Sequence, residues 1–578
     1  MGSSVRFASI VLSLVALLVV GAGFAREKPA PASAGMPRAQ AVLAQRGMVV
    51  TQERQASRIG AEILAKGGNA VDAAVAAGFA LAVTLPKAGN LGGGGFMVLH
   101  LAEKGEDLVI DYRETAPAAM RQDAFLDANG NPDPEKSRDS ALAVGVPGTV
   151  AGLALAHARF GSGRFTLAEL VAPAVQLARE GIPVEGDLLD SLLLAGPRLQ
   201  RWASTAQIFL KADGSNWSTG DRLVQPELAA LLEAIEREGP RAFYIGPIAD
   251  KIVTSVREAG GLMTRGDLED YQPIIREPVR GTYRGYEIVS MPPPSSGGVH
   301  LVQMLNILEG FPLGKLGAGS PAALHLMIEA MKLAYADRAE FLGDPDAVDV
   351  PAGLLVSKEY AAQQRAAIDP QHARAAIDIR PDSNALGGNT THFSVVDQFG
   401  NAVANTTSLN LNYGLGLVAQ GTGILLNNTL DDFAAAPGAP NAFGLIGGSA
   451  NAPGPGKRPL SSMTPTIVLK DGRPVLVTGA PGGGRIISTV LQVIVNGIDF
   501  GLPLAEAVGA PRVHHQWRPD EVVAEPSLPA ATIRALEKRG HAVRVGPPFG
   551  SAHSIAITPQ GLVGVADPRA SGSGAVGL

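Results

Sequence analysis

The sequence predicts an α+β fold in which two sets of antiparallel strands are layered against helices as a sandwich. Three observations carry this reading. Paired strand patterns occur both near residue 100 and throughout the last third of the chain, an almost wholly apolar helix-length segment precedes the first pair, and a long middle stretch has helical periodicity. Glycine (70) and proline (42) make up about a fifth of the 578 residues without a Gly-x-y period, so tight turns join short elements and a collagen-like fibre is excluded. At about 150 residues per domain the length alone suggests roughly four domains.

Taken in chain order, Ala56, Ile59, Ile63 and Leu64 fall on one helical face, and Gly67-Gly68 ends that helix. Residues 70–84 are apolar almost all the way round, which predicts a fully buried helix. Four glycines, Gly92 to Gly95, separate it from strands at 96–101 and 108–112. The stretch 149–377 reads as mostly helical, most clearly at 329–341, and Pro292 to Ser296 reads as a rigid internal loop. After Gly388 the pattern turns to strands: 391–397 returns as 402–409, and 466–470 returns as 475–478 through the turn dipeptide Asp471-Gly472. That hairpin runs into Pro481-Gly482-Gly483-Gly484 and an apolar helix at 486–495, and a hairpin of 554–557 with 562–566 closes the chain.

Composition narrows the function classes. Apolar residues are 46% and charged ones 18%, enough for a large core and incompatible with a disordered or coiled-coil chain. A net charge of −6, no long basic run and only 3 Trp argue against a nucleic-acid partner. The absence of Cys removes disulfides, thiolate metal sites and a cysteine nucleophile, and suits an oxidising compartment. Arg6 precedes an apolar run, and Gly23 and Ala25 occupy the −3 and −1 positions of a cleavage site, so residues 1–25 read as a secretory signal peptide. An uncleaved anchor is the alternative, since 7–25 carries no charge. With cleavage after Ala25 the protein is expected to be periplasmic or secreted, without stable membrane insertion, and residues 26–44 to form a flexible, Ala- and Pro-rich leader.

Several motifs have bland readings. The Gly92–Gly95 run lacks the Gly-Lys-Ser/Thr of a phosphate loop, His514-His515 points to opposite faces if on a strand, and no Gly-x-Ser-x-Gly elbow occurs. No metal and no cofactor is expected. The segment from Gly388 to Asn401, containing Asn389-Thr390-Thr391-His392, is sharper. A threonine hydroxyl is a poor nucleophile unless a base activates it, and if Thr390 became a new N-terminus its own α-amine, with a reference pKa of about 7.7–8.0, could be that base.

That segment resembles the autocleavage junction of the γ-glutamyltranspeptidases, a family of N-terminal nucleophile hydrolases. Further blocks match in the same order: 67–74 (Gly-Gly-Asn-Ala-Val-Asp-Ala-Ala), 88–96, 111–117, Asp431-Asp432-Phe433, 457–463 (Lys-Arg-Pro-Leu-Ser-Ser-Met) and Pro481-Gly482-Gly483. The resemblance covers about residues 45–569. It implies a four-layer αββα sandwich and cleavage between Asn389 and Thr390. The products would be a large subunit (to 389, 364 residues from Arg26) and a 189-residue small subunit (390–578), held as a heterodimer in one interleaved domain.

The resemblance also implies roles. Thr390 would attack its own junction and then the γ-carbonyl of a small γ-glutamyl compound such as glutathione, with Ser408 positioning it and the N–H groups of Gly482 and Gly483 as the oxyanion hole. The glycine turn entering a helix supports that last role by itself, because such turns leave free amides. Arg113, Ser461 and Ser462 would hold the donor's α-carboxylate, and Asn410 and Asp432 its α-ammonium. Water as acceptor gives glutamate; an amino acid or peptide gives transpeptidation. Three positions depart from the family pattern. Ser408 stands where Thr is usual, Thr429 where Glu or Gln helps hold the ammonium, and Phe443, in the lid-like segment 437–448, where bacterial relatives commonly carry Tyr, which would leave Asn410 short of a partner. Such a loosened site would also suit a glutaryl or cephalosporin acylase of the same superfamily. An inactive periplasmic binding protein is the reading from another class.

Overall fold

A computed structural model describes residues 38–376 and 390–578. The segment read as a signal peptide, most of the expected leader and Asn389 lie outside the described residues. Instead of four domains, the chain from Pro37 to Leu578 forms one unit. Its frame is fourteen strands: β1 (Ala41–Ala44), β2 (Met48–Thr51), β3 (Gly94–Leu101), β4 (Glu106–Tyr112), β5 (Ile274–Arg276), β6 (Val279–Tyr283), β7 (Tyr286–Ser290), β8 (Thr390–Val396), β9 (Ala402–Ser408), β10 (Thr466–Lys470), β11 (Arg473–Thr478), β12 (His553–Thr558), β13 (Gly561–Ala566) and β14 (Gly574–Gly577). They form two seven-stranded antiparallel sheets, ordered β1-β13-β12-β11-β10-β7-β6 and β14-β2-β8-β9-β3-β4-β5.

Side-chain alternation decides what each sheet face touches. In the second sheet Val50, Phe96, Val98, Val109, Ala402 and Ala404 join Val289, Ile467, Val477 and Ile555 of the first sheet in one inter-sheet core. Their neighbours Val49, Met97, Leu99, Ile110, Val395 and Val403 face the other way, into a helical layer. That layer contains α1 (Arg54–Ala65), α2 (Ala70–Thr84) and α3 (Thr149–Phe160). On the far side of the first sheet, Ile288 and Val468 pack with α4 (Gly297–Glu309), α5 (Pro321–Phe341) and α6 (Arg485–Ile498). The order is therefore helix, sheet, sheet, helix, as the resemblance implied.

Local chemistry explains the elements that sequence reading placed well. Helix α2 opens with a capping box in which Asn69 accepts from Val71 and Asp72 N–H while the Asp72 carboxylate accepts from Asn69 N–H, and all fifteen of its residues are buried. Asp471 (φ 51°) and Gly472 (φ 72°) make the left-handed turn between β10 and β11. The glycine run is a close-packing device: a Cβ on Gly93 would stand 2.1 Å from the Ser408 carbonyl oxygen, and one on Gly95 2.3 Å from that of Thr406. The Pro292–Ser296 loop is rigid as expected, with Ser296 N–H and Oγ both donating to the Ser461 carbonyl, at 2.9 and 2.8 Å.

Four expectations need correction. The leader ends before residue 44, because Ala41–Ala44 pairs with Leu562–Val565 as β1. The middle stretch is not purely helical: β5 to β7 lie in it, and Arg284 (φ 51°) and Gly285 (φ 79°) turn β6 into β7. Helix α5 begins eight residues earlier than the pattern suggested, with the Ser320 side chain capping Ala323 N–H. Nor does the β12–β13 hairpin close the chain, since β14 crosses to the other sheet and pairs with β2, and the Leu578 carbonyl accepts from Gln45 and Arg46 N–H. Among the described residues no helix is long and apolar enough to cross a membrane.

Two stability predictions follow from this packing. Burial pushes His300 and His514 down to about 3. Between that value and the ordinary 6.5 the unfolded chain takes up protons that the folded chain refuses, so the contribution of these two histidines to stability falls as pH drops below 6.5. Thermal melts from pH 7 to 4.5 should show this, and His300→Gln should flatten the slope. Gly93→Ala should cost about 1–3 kcal/mol or more by overpacking, read as a lowered denaturation midpoint.

Candidate active site

Strand register builds one half of the site. Thr390 pairs with Ser408 across β8 and β9, and Ser408 pairs with Gly94 of β3. Both side chains share the parity of Ala402 and Ala404, so they face the space between the sheets, and Thr390 Oγ1 donates to Ser408 Oγ at 3.4 Å. Ser408 Oγ in turn accepts from Asn410 N–H at 2.8 Å. On the same face His392 lies between Thr406 and Ser394, at 2.9 and 3.1 Å, and burial holds its imidazole neutral, well below the ordinary range.

The row continues to Arg113, which lies one residue beyond the Gly95–Tyr112 pair and so beside Gly94. Three strand spacings put its backbone about 14 Å from that of Thr390. A Cβ on Gly94 would meet Glu114 Oε2 at 2.7 Å, so glycine keeps this row open. Arg113 Nη1 lies 3.7 Å from Glu114 Oε2 in a buried ion pair, the side chains being 1% and 0% exposed. Its Nη2 donates to Asp432 Oδ2 at 2.5 Å and its Nε to the Pro459 carbonyl at 3.2 Å. Burial pushes the Asp432 and Glu114 carboxyls up, and the Arg113 guanidinium pulls both back.

Several members of this cluster escaped the sequence reading. Glu114 is a second buried carboxylate, and Thr429 Oγ1 donates to its Oε1 at 2.7 Å, so the hydroxyl found where an acidic or amide side chain was expected holds another acid in place. Arg338, buried in α5, donates from Nε to Ser296 Oγ at 3.1 Å and from Nη2 to Ser462 Oγ at 3.3 Å, and its charge bears on Asp432. Ser461 Oγ accepts from Met463 N–H at 3.0 Å. Asn441 Nδ2 donates to Asp432 Oδ1 at 2.9 Å. The available signal was a glutamate directly after Arg113.

The turn at 439–446 links the two halves. Asn441 holds Asp432, and two residues on, the Phe443 ring covers Gly483, where a Cβ would stand 2.9 Å from it. Asn410 is not left short by the missing tyrosine hydroxyl, since its Nδ2 donates to the Asn428 carbonyl at 3.1 Å. Gly482 (φ 138°) and Gly483 (φ 56°) take conformations that side chains resist. Their carbonyls accept from Arg485 and Ile486 N–H as α6 starts, while among the described residues their own N–H groups donate to no protein acceptor. Those two amides, at the positive end of α6, suit a developing oxyanion.

Metal-ligating side chains do gather elsewhere, at His325, Glu329 and His541. Two of the rings hydrogen-bond each other at 2.8 Å, and Glu329 accepts from Arg374 N–H and lies 3.1 Å from the Lys332 ammonium, so the cluster is occupied by protein contacts. His514 and His515 are separately engaged, with Ser488 and Asp520 at 2.9 and 3.1 Å.

Comparison with known proteins matches this arrangement. The family model described as Gamma-glutamyltranspeptidase spans residues 56–577. The chain is 52% identical over 532 residues to a glutathione hydrolase proenzyme of Escherichia coli (strain K12), covering 91% of each. It is 41% identical over 537 residues to the acylase ACY 1 proenzyme of Pseudomonas sp. (strain SE83), covering 91% of this chain and 93% of that one. Among solved structures, a cephalosporin acylase from Bacillus halodurans superposes with a TM-score of 0.81 at 28% identity, over 95% of this chain and 99% of that chain. The chain belongs to the γ-glutamyltranspeptidase family.

Proposed function

We propose that this protein is a self-cleaving glutathione hydrolase and γ-glutamyltransferase. Thr390 attacks the carbonyl of Asn389, the peptide shifts to an ester, and water releases a small subunit that begins with Thr390 and stays paired with the large one. The freed α-amine then takes the Oγ1 proton as Oγ1 attacks the γ-carbonyl of the donor. Gly482 and Gly483 N–H groups receive the oxyanion, each worth about 3 kcal/mol in the transition state. Collapse returns the proton to the departing amine and leaves a γ-glutamyl ester on Thr390. Water or an amino acid or peptide amine resolves it. Ser408, oriented by Asn410 N–H, holds the Thr390 hydroxyl.

The observation that carries the donor class is charge balance around Arg113. Two buried cations, Arg113 and Arg338, lie with the buried Glu114 and with Asp432, whose side chain is 10% exposed. A zwitterionic α-amino acid head brings one charge of each sign. Its carboxylate meets Arg113 and the Ser461 and Ser462 hydroxyls, its ammonium meets Asp432 with Asn410 near, and the buried balance is kept. A glutaryl head brings only the anion and gives Asp432 nothing in exchange for lost water. Thr429 acts through Glu114, and Phe443 closes the site over Gly483. The acylase reading keeps support from the similarity to the Pseudomonas acylase. An inactive binding protein has no use for two unengaged glycine amides at a helix start. The family's proenzyme relatives and the sequence at 1–25 support export, with cleavage after Ala25 and a periplasmic or secreted product.

Two measurements test this. Denaturing gels of purified protein should show two fragments, the smaller starting at Thr390, and Thr390→Ala should leave one chain with activity lowered by at least about 1,000-fold; cleavage of that variant at the same bond would remove Thr390 from its role. A γ-glutamyl anilide should be hydrolysed with a higher kcat/KM than its glutaryl counterpart. The reverse order would establish the acylase reading.

A further inference from the structure

A cavity of about 270 Å³ adjoins the oxyanion glycines and is walled by Phe443, Gly482, Gly484, Arg485, Phe549 and Gly550. None of Arg113, Asp432, Ser461 or Ser462 lines it, so it lies outside the pocket assigned to the γ-glutamyl head. Three cations reach it. Lys87 is paired with Asp187, and Arg569 with Glu525 and Asp567, at 2.7 and 3.1 Å. Arg485 alone has no anion. Its guanidinium rests over the Phe549 ring, 5.2 Å from the centroid, and among the described residues no carboxylate or carbonyl receives its N–H groups. Burial, with Arg544 nearby, pushes it below the usual arginine range, the mark of a cation lacking a counter-charge. A half-buried guanidinium at the positive end of a helix is a costly arrangement unless an anion arrives from outside.

We infer that Arg485 is a specificity-determining residue for the other half of the reaction, binding the free carboxylate of the peptide that leaves the donor or arrives as acceptor. This rests on the γ-glutamyl reading above. Once the γ-carbonyl sits at Gly482 and Gly483, the scissile nitrogen must leave on a side away from Arg113. The C-terminal carboxylate of a dipeptide lies about 7 Å beyond that nitrogen. Arg485 Cβ is 3.6 Å from where a Cβ on Gly482 would be, so the guanidinium, at the end of a side chain of similar reach, meets it there. The planar fork suits a carboxylate bidentately, and the Phe549 ring holds it flat. Aryl amines carry no such group and gain nothing from it.

The experiment compares three donors: glutathione, glutathione amidated at its glycine carboxylate, and a γ-glutamyl anilide. The wild-type enzyme should favour glutathione over its amide about tenfold in kcat/KM, mainly through KM. Arg485→Met should erase that preference, and Arg485→Lys should restore part of it. Equal treatment of glutathione and its amide by the wild-type enzyme would overturn the inference while leaving γ-glutamyl chemistry standing. So would an equal loss on all three donors in Arg485→Met, which marks a structural role. Failure of the wild-type enzyme on every γ-glutamyl donor would overturn both readings together.

Discussion

The pairing of β8 with β9, in the register that sets Thr390 opposite Ser408, is the constraint on which the rest of the site depends. Strand side chains alternate, so a slip of one residue would send Thr390 into the helical layer and put Val395 and Val403 between the sheets. Burial on both faces prevents the slip: the odd-numbered residues fill one core, and Val396, Ala402 and Ala404 the other. On one side β9 is held against β3 by glycines whose missing Cβ atoms let the Ser408 and Thr406 carbonyls approach. The position of Thr390 is thus set by packing many residues away from it.

From that row the chemistry spreads outward in two directions. Toward Arg113 it becomes a cluster of buried charges that neutralise one another, which is costly to assemble and gains specificity for a ligand able to replace its contacts charge for charge. Toward Gly482 and Gly483 it becomes a turn whose amides are left over because the following helix takes only the carbonyls. The turn carrying Asn441 and Phe443 touches both, one residue holding Asp432 and the other covering Gly483. A change in the position of this turn therefore bears on Asp432 and on Gly483 together.

Much of this was legible in sequence because the relevant code is local. An apolar run after the glycines marked β3, alternation marked β8, and paired strand patterns marked β4 and β9 to β13; Asp471-Gly472 wrote a left-handed turn. The departures at Thr429 and Phe443 were visible, yet their consequences were not. Thr429 is bonded to Glu114, and Asn410 to the Asn428 carbonyl, across 315 and 18 residues of chain. Hydrogen-bond partners at such separations leave no periodic trace.

The inventory was readable from the chain alone: Thr390 at the junction segment in a chain without Cys, the Gly482-Gly483 turn before a helix, Arg113, and the strands that carry them. Only the tertiary structure decided which partners each charge has. Gly574–Gly577 has poor strand propensity and is a strand because β2 offers it an open edge. Glu114 and Arg338 belong to the Arg113 cluster because sheet and helix bring them there, and among the described residues Arg485 has no ion-pair partner while Lys87 and Arg569 have theirs. Propensity acts between neighbours in the chain, whereas electrostatic balance acts between neighbours in space.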